Sequence, residues 1–69
     1  MRVACIDPTS KVVLNILEVE SLDNVPDVVG VREDGTPIKK EETLIVETTT
    51  GSVGDIYIEG VGFFRFAGE

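Results

Sequence analysis

The sequence predicts an all-β chain: a small antiparallel β-sandwich or barrel-like domain built from hairpins, with little or no helix. Three observations carry this. Val, Ile and Thr together supply 23 of the 69 residues while alanine appears only twice, and β-branched side chains lose rotamer freedom in helices but pack well on a pleated sheet. Three prolines and seven glycines punctuate the chain at intervals suited to short strands. No heptad or 3.6-residue apolar period is sustained anywhere. At 7.5 kDa the whole of 1–69 reads as one small β domain.

The first strand is expected over Arg2 to Asp7. Asp7-Pro8-Thr9-Ser10 then reads as a turn, because Asp and Ser bond nearby backbone groups and Pro presets φ at the second turn position. Val12 to Glu20 is the returning strand of this hairpin. Ser21 to Asp27 is a loop with a single helical turn at most, since Pro26 stops a helix from extending. Val28 to Glu33 is a short strand, and Asp34-Gly35 is a hairpin-turn dipeptide. Pro37, which has no N–H to donate, belongs at a sheet edge. Lys39 to Glu42 is a charged, solvated stretch. Thr43 to Thr48 resumes strand character, with Leu44 and Val46 opposite Ile45. Thr50 to Gly54 reads as a flexible loop, and Asp55 to Glu59 places Ile56 and Ile58 on one face with Tyr57 between them. Gly60-Val61-Gly62 supplies a tight turn before a last strand over Phe63 to Phe66.

The strand Val12 to Val19 is apolar on both sides. Strict alternation puts Val12, Leu14 and Ile16 on one face and Val13, Leu17 and Val19 on the other. An antiparallel sheet needs only one apolar face, and a chain this short has little material with which to cover two. The usual staples are missing as well: Cys5 is the lone cysteine and there is no histidine, so neither an internal disulfide nor the commonest zinc ligand is available. The expectation is that a partner, another copy of the chain or a larger protein body, covers the second face; the alternation leaves open which face that is.

Thirteen acidic residues against six basic give a net charge of −7. Nucleic-acid binding needs clustered cations that displace counterions from phosphates, whereas Arg2, Lys11, Arg32, Lys39, Lys40 and Arg65 are scattered and Glu41-Glu42 follows the one lysine pair. The same electrostatics disfavours anionic membrane surfaces. The apolar stretch after Met1-Arg2 is too brief for a signal-peptide core, and no run approaches the roughly 20 apolar residues of a membrane span. The expected setting is a soluble protein made in a reducing cytoplasm.

The residues offer little catalytic chemistry. Histidine, the commonest general acid–base group near neutral pH, is absent. Asp7, Asp23, Asp27, Glu33, Asp34, Asp55 and Glu59 fall in turns or at strand ends and read as a solvated acidic rim. Cys5 lies mid-strand between Ala4 and Ile6 and reads as a small buried hydrophobe. No segment alternates Asp or Asn ligands as a calcium loop does, and no lysine or helix follows the glycines at 51, 54, 60 and 62 as in a phosphate loop. Neither an enzyme, a cofactor nor a metal is expected.

What remains is surface. Phe63 and Phe64 are neighbours on a strand and point to opposite sides. If Phe64 and Phe66 share the core, Phe63 stands outward beside Arg65, a composition suited to an interface. The expected interface residues are therefore Val13, Leu17, Val19, Tyr57, Phe63 and Arg65, in a protein that binds other proteins and itself as a homo-oligomer.

The segments Arg2-Val3-Ala4-Cys5-Ile6-Asp7, Lys11-Val12-Val13-Leu14-Asn15-Ile16-Leu17-Glu18-Val19 and Gly54-Asp55-Ile56-Tyr57-Ile58-Glu59-Gly60, the last leading into Gly62-Phe63-Phe64, cover about half the chain. In this order of strand, turn, asparagine-bearing strand, acidic loop and closing aromatic hairpin, the chain resembles small β-rich structural proteins of tailed bacteriophages. It departs from their pattern in having no tryptophan in the closing hairpin or after the second strand. The resemblance implies a non-enzymatic virion component without a cofactor, a capsid decoration or cement protein docking on the shell as a small oligomer. The alternatives are a tail- or fibre-associated part, or a small acidic inhibitor binding one host protein.

Overall fold

A computed structural model describes residues 1–65 of the chain. It has seven strands: β1 (Arg2–Ile6), β2 (Val13–Glu18), β3 (Val28–Val31), β4 (Pro37–Lys39), β5 (Leu44–Glu47), β6 (Ile56–Ile58) and β7 (Gly62–Phe64). Its helical content among the described residues is two single turns of 3-10 helix, Leu22–Asn24 and Lys40–Glu42. The fold is all-β with antiparallel pairing throughout, as the β-branched composition predicts. Among the described residues no helix is long and apolar enough to cross a membrane.

The central sheet has three strands in the order β2-β1-β5. β1 is the middle strand, paired along both edges, and both of its faces are covered: Val3, Ala4, Cys5 and Ile6 are all fully buried. Val3 and Cys5 face one core, completed by Val25, Val29 and Ile38 with Leu14, Leu17, Val19 and Ile45 packed against it. Ala4 and Ile6 face a second core, completed by Val13 with Ile16, Val46, Tyr57 and Phe63. The β3-β4 hairpin thus lies over one face and the β6-β7 hairpin over the other.

This arrangement corrects the expectation that the chain lacks the material to cover two faces. A three-stranded sheet is narrow, and one two-stranded hairpin suffices for each side. Strict alternation also fails along β2. Cys5 pairs with Asn15 and Ile6 with Val13, so Leu14 is an extra residue, a β-bulge that reverses the side-chain parity. Val13 and Ile16 consequently share one core while Leu14, Leu17 and Val19 share the other.

The bulge also turns Asn15 toward the β3-β4 hairpin. Its Nδ2 donates to the Val29 carbonyl at 2.6 Å and its Oδ1 accepts from the Ile16 amide at 2.9 Å. The loop before β3 is held by Lys40, whose Nζ donates to the Val25 carbonyl at 3.3 Å and lies 3.7 Å from Asp27. Ser21, at the N-cap of the first 3-10 turn, donates its hydroxyl to Asn24 Oδ1 rather than accepting a backbone amide.

The predicted turns form as their residues dictate. Asp7 Oδ1 accepts from the Thr9 and Ser10 amides at 2.8 and 3.1 Å, and the chain leaves this turn through Lys11 at φ 66°. Gly35 takes φ 90° in the β3-β4 turn, where the Arg32 amide donates to the Thr36 carbonyl.

Candidate docking surface

The β6-β7 hairpin presents two different faces. Tyr57 and Phe63 form a cross-strand pair with ring centroids 5.0 Å apart, and both pack inward on Ala4, Ile6 and Val13. Ile56 pairs with Phe64 and Ile58 with Gly62, so these side chains point the other way. Ile58 and Phe64 are each 47% exposed, and Val61 in the connecting turn is exposed too.

The hairpin is fixed to β2 rather than merely resting on it. Val12 forms a bridge with Ile56, the Tyr57 amide donates to the Lys11 carbonyl at 2.8 Å, and Val13 and Asp55 are joined through the Val13 amide at 2.8 Å. Directly opposed residues project to the same side. Val12, Ile56 and Phe64 therefore form a continuous apolar row across three strands, with Ile58 beside it.

At Val12 the row enters an open groove of about 630 Å³. Its walls are Leu14 at the bulge, Val31 on β3 and Val53 in the loop before β6, and Arg32, Glu33 and Asp34 of the β3-β4 turn form its charged rim. Val31 and Val53 are both exposed. Asp34 is held in its ionised form: Thr36 donates to its Oδ1 at 2.9 Å, which lowers its pKa below the ordinary carboxylate range.

The loop under this surface, Thr50 to Gly54, makes hydrogen bonds at both of its ends. The Arg2 guanidinium donates to the Thr50 and Gly51 carbonyls at 2.8 and 2.7 Å, and the Ser52 amide donates to Asp55 Oδ2 at 2.9 Å. Gly51 is required where it stands: its φ is +93°, and a Cβ there would lie 2.8 Å from Phe63 Cγ.

The expected interface residues separate in the structure. Val13 is fully buried in the chain's own core, a direct consequence of the bulge. Leu17, Val19, Tyr57 and Phe63 pack against the two cores and are not an outward set. Arg65 alone of the six is exposed, beside Ser52, Val53, Gly54 and Asp55. The expected roles of Phe63 and Phe64 are exchanged, and Phe66 lies outside the described residues. The outward row of Val12, Ile56, Ile58 and Phe64 takes the place of the expected surface.

Chemically the surface offers apolar contact with a charged margin. Cys5, the chain's one thiol, is enclosed with Val3 and Val25, and burial pushes its pKa up, which suppresses the thiolate. No family model, curated protein or solved structure matches the chain.

Proposed function

We propose that the protein is a non-enzymatic structural component of a tailed-phage virion, a capsid decoration protein that docks on the shell through the outward face of its β6-β7 hairpin. The observation that carries the docking role is the outward row in which half-buried Val12 and Ile56 join exposed Phe64, with exposed Ile58 alongside, outside both cores of the chain. Contiguous exposed apolar residues bordered by charge are characteristic of protein-binding surfaces. The net charge of −7 favours solubility and repels packaged nucleic acid, which suits an exterior position. The resemblance of the strand and turn order to phage structural proteins supplies the choice of assembly.

Mass spectrometry of purified particles, with copy number per virion, tests the reading. A copy number matching the capsid lattice is the expected result. A number matching the symmetry of the tail would move the protein there, and a stoichiometric complex with one host protein, with none in the particle, would replace the reading by the inhibitor.

A further inference from the structure

We propose that the open edge of β5 is a self-pairing edge, on which a second copy of this chain adds its own β5 antiparallel to form a continuous six-stranded sheet. β5 is bonded on one side to β1, and no strand among the described residues bonds to its other side. The Thr48 amide donates to the Arg2 carbonyl, which sets the alternation of the β1-β5 ladder: Val46 and Leu44 exchange bonds with Ala4 and Ile6. The backbone N–H and C=O groups of Ile45 and Glu47, with the Thr43 carbonyl, therefore point away from the sheet.

A two-fold axis at Ile45 brings these outward groups together. Ile45 then faces Ile45 of the second copy and exchanges two backbone hydrogen bonds with it, and the Glu47 amide donates to the Thr43 carbonyl of the second copy, twice by symmetry. On the opposite side of the strand Leu44, 37% exposed in the single chain, meets Val46 of the second copy. Glu47, the one glutamate within β5, falls opposite Thr43, while Glu41 and Glu42 lie outside the ladder in the 3-10 turn Lys40–Glu42. A chain of net charge −7 thus pairs with itself without opposing like charges.

The neighbouring registers lack this match. A shift by one residue sets outward groups against inward ones and breaks the ladder. An axis at Leu44 sets Glu47 against the 3-10 turn Lys40–Glu42, where no ladder continues, and an axis at Val46 places Ile45 opposite Glu47. Self-complementarity at Ile45 identifies a second copy of this chain as the occupant of the edge.

Sedimentation equilibrium and amide exchange on the full chain test this. The expected result is a dimer whose Ile45 and Glu47 amides gain protection as concentration rises. Thr43→Glu sets two glutamate pairs face to face and should raise the dimer dissociation constant about 5-fold, while Thr43→Lys should lower it by a similar factor. The same charge changes at exposed Val61, in the turn of the separate β6-β7 sheet, should move it far less. Because the Thr43 hydroxyl bonds the Lys40 carbonyl, a chemically synthesised chain N-methylated at Glu47, whose side chain is exposed, serves as a second variant and should abolish the dimer. A monomer up to hundreds of micromolar, a dimer indifferent to these changes, or amides whose exchange ignores concentration would each overturn the proposal. Virion copy number bears on the docking reading and leaves this one untouched.

Discussion

The Asn15 side chain bonds the Val29 carbonyl at 2.6 Å while its oxygen accepts the Ile16 amide at 2.9 Å, so one amide group closes the bulge in β2 and fastens the β3-β4 hairpin across the sheet. A Cβ on Gly30 would come within 3.3 Å of the same Nδ2, which leaves the hairpin little room to shift. Asn15→Leu removes both bonds and strands two backbone groups in a partly buried site. We expect a loss of about 2 kcal/mol in urea unfolding, the cost of leaving such groups unpaired. Unchanged stability would show that water takes over both bonds.

Gly51 and Gly54 share nearly the same φ, +93° and +94°, but differ in surroundings: a Cβ at Gly51 meets the Phe63 ring, whereas at Gly54 nothing lies within 4 Å. Gly54→Ala therefore reports the left-handed conformation alone, about 1–2 kcal/mol. Gly51→Ala adds displacement of Phe63, a further cost of about 1–3 kcal/mol typical of overpacking. Thermal melts of the two variants side by side isolate the Phe63 contact as their difference.

Much of this fold is legible in the sequence, and the losses have a common physical origin. The β1-β2, β3-β4 and β6-β7 hairpins follow from Asp7-Pro8, Asp34-Gly35 and Gly60-Val61-Gly62, because turn chemistry is local. Burial of Cys5 follows from its place among Val3, Ala4 and Ile6. Side-chain direction, in contrast, depends on register, and the bulge at Leu14 is set by pairing with β1 rather than by any signal in β2. That one residue carries Val13 into the core. The direction of Phe63 could have been found by counting outward from the Gly60-Val61 turn: Ile58 then pairs with Gly62, and Tyr57 with Phe63. The outward apolar row is hidden along with it, since exchanging Phe63 and Phe64 exchanges the faces of the hairpin.

Asp7 and Asp34 should make the stability sensitive to acid. Backbone amides of Thr9 and Ser10 lower the pKa of Asp7, and the amide of Thr36 lowers that of Asp34. A carboxylate with a lowered native pKa stabilises the fold above its unfolded value, near 3.9, and that contribution disappears as pH falls through the native value. The double variant Asp7→Asn with Asp34→Asn should be less stable than the parent at neutral pH. The gap should close on acidification below about 4. Urea midpoints against pH test this, and a gap that persists at the acid end would contradict it.

Cys5 should behave as a reporter of opening rather than as a reactive thiol. It has no exposed surface, and its pKa is raised by desolvation. Labelling by a thiol reagent should therefore follow the population of the unfolded chain, quickening with urea in step with loss of structure. Rapid labelling under native conditions would mean that the β3-β4 hairpin lifts from the sheet by itself.

The sharpest contrast lies between adjacent phenylalanines. Phe63 is half-buried against Tyr57 and the Ala4, Ile6 and Val13 core, so Phe63→Ser should cost about 2–3 kcal/mol, somewhat below the range for a fully buried aromatic, and leave much of a marginally stable chain unfolded. Phe64 is 47% exposed, and Phe64→Ser should change stability by about 0.5 kcal/mol or less. If the outward row is the docking surface, the same variant should lower occupancy on particles sharply, and Ile58→Ser should act with it, since both side chains enter one contact. Unfolding measured by circular dichroism separates the first effect from the second. A Phe64→Ser chain that keeps its fold and still saturates particles would remove the row from the interface and leave the groove lined by Leu14, Val31 and Val53 as the surface to test.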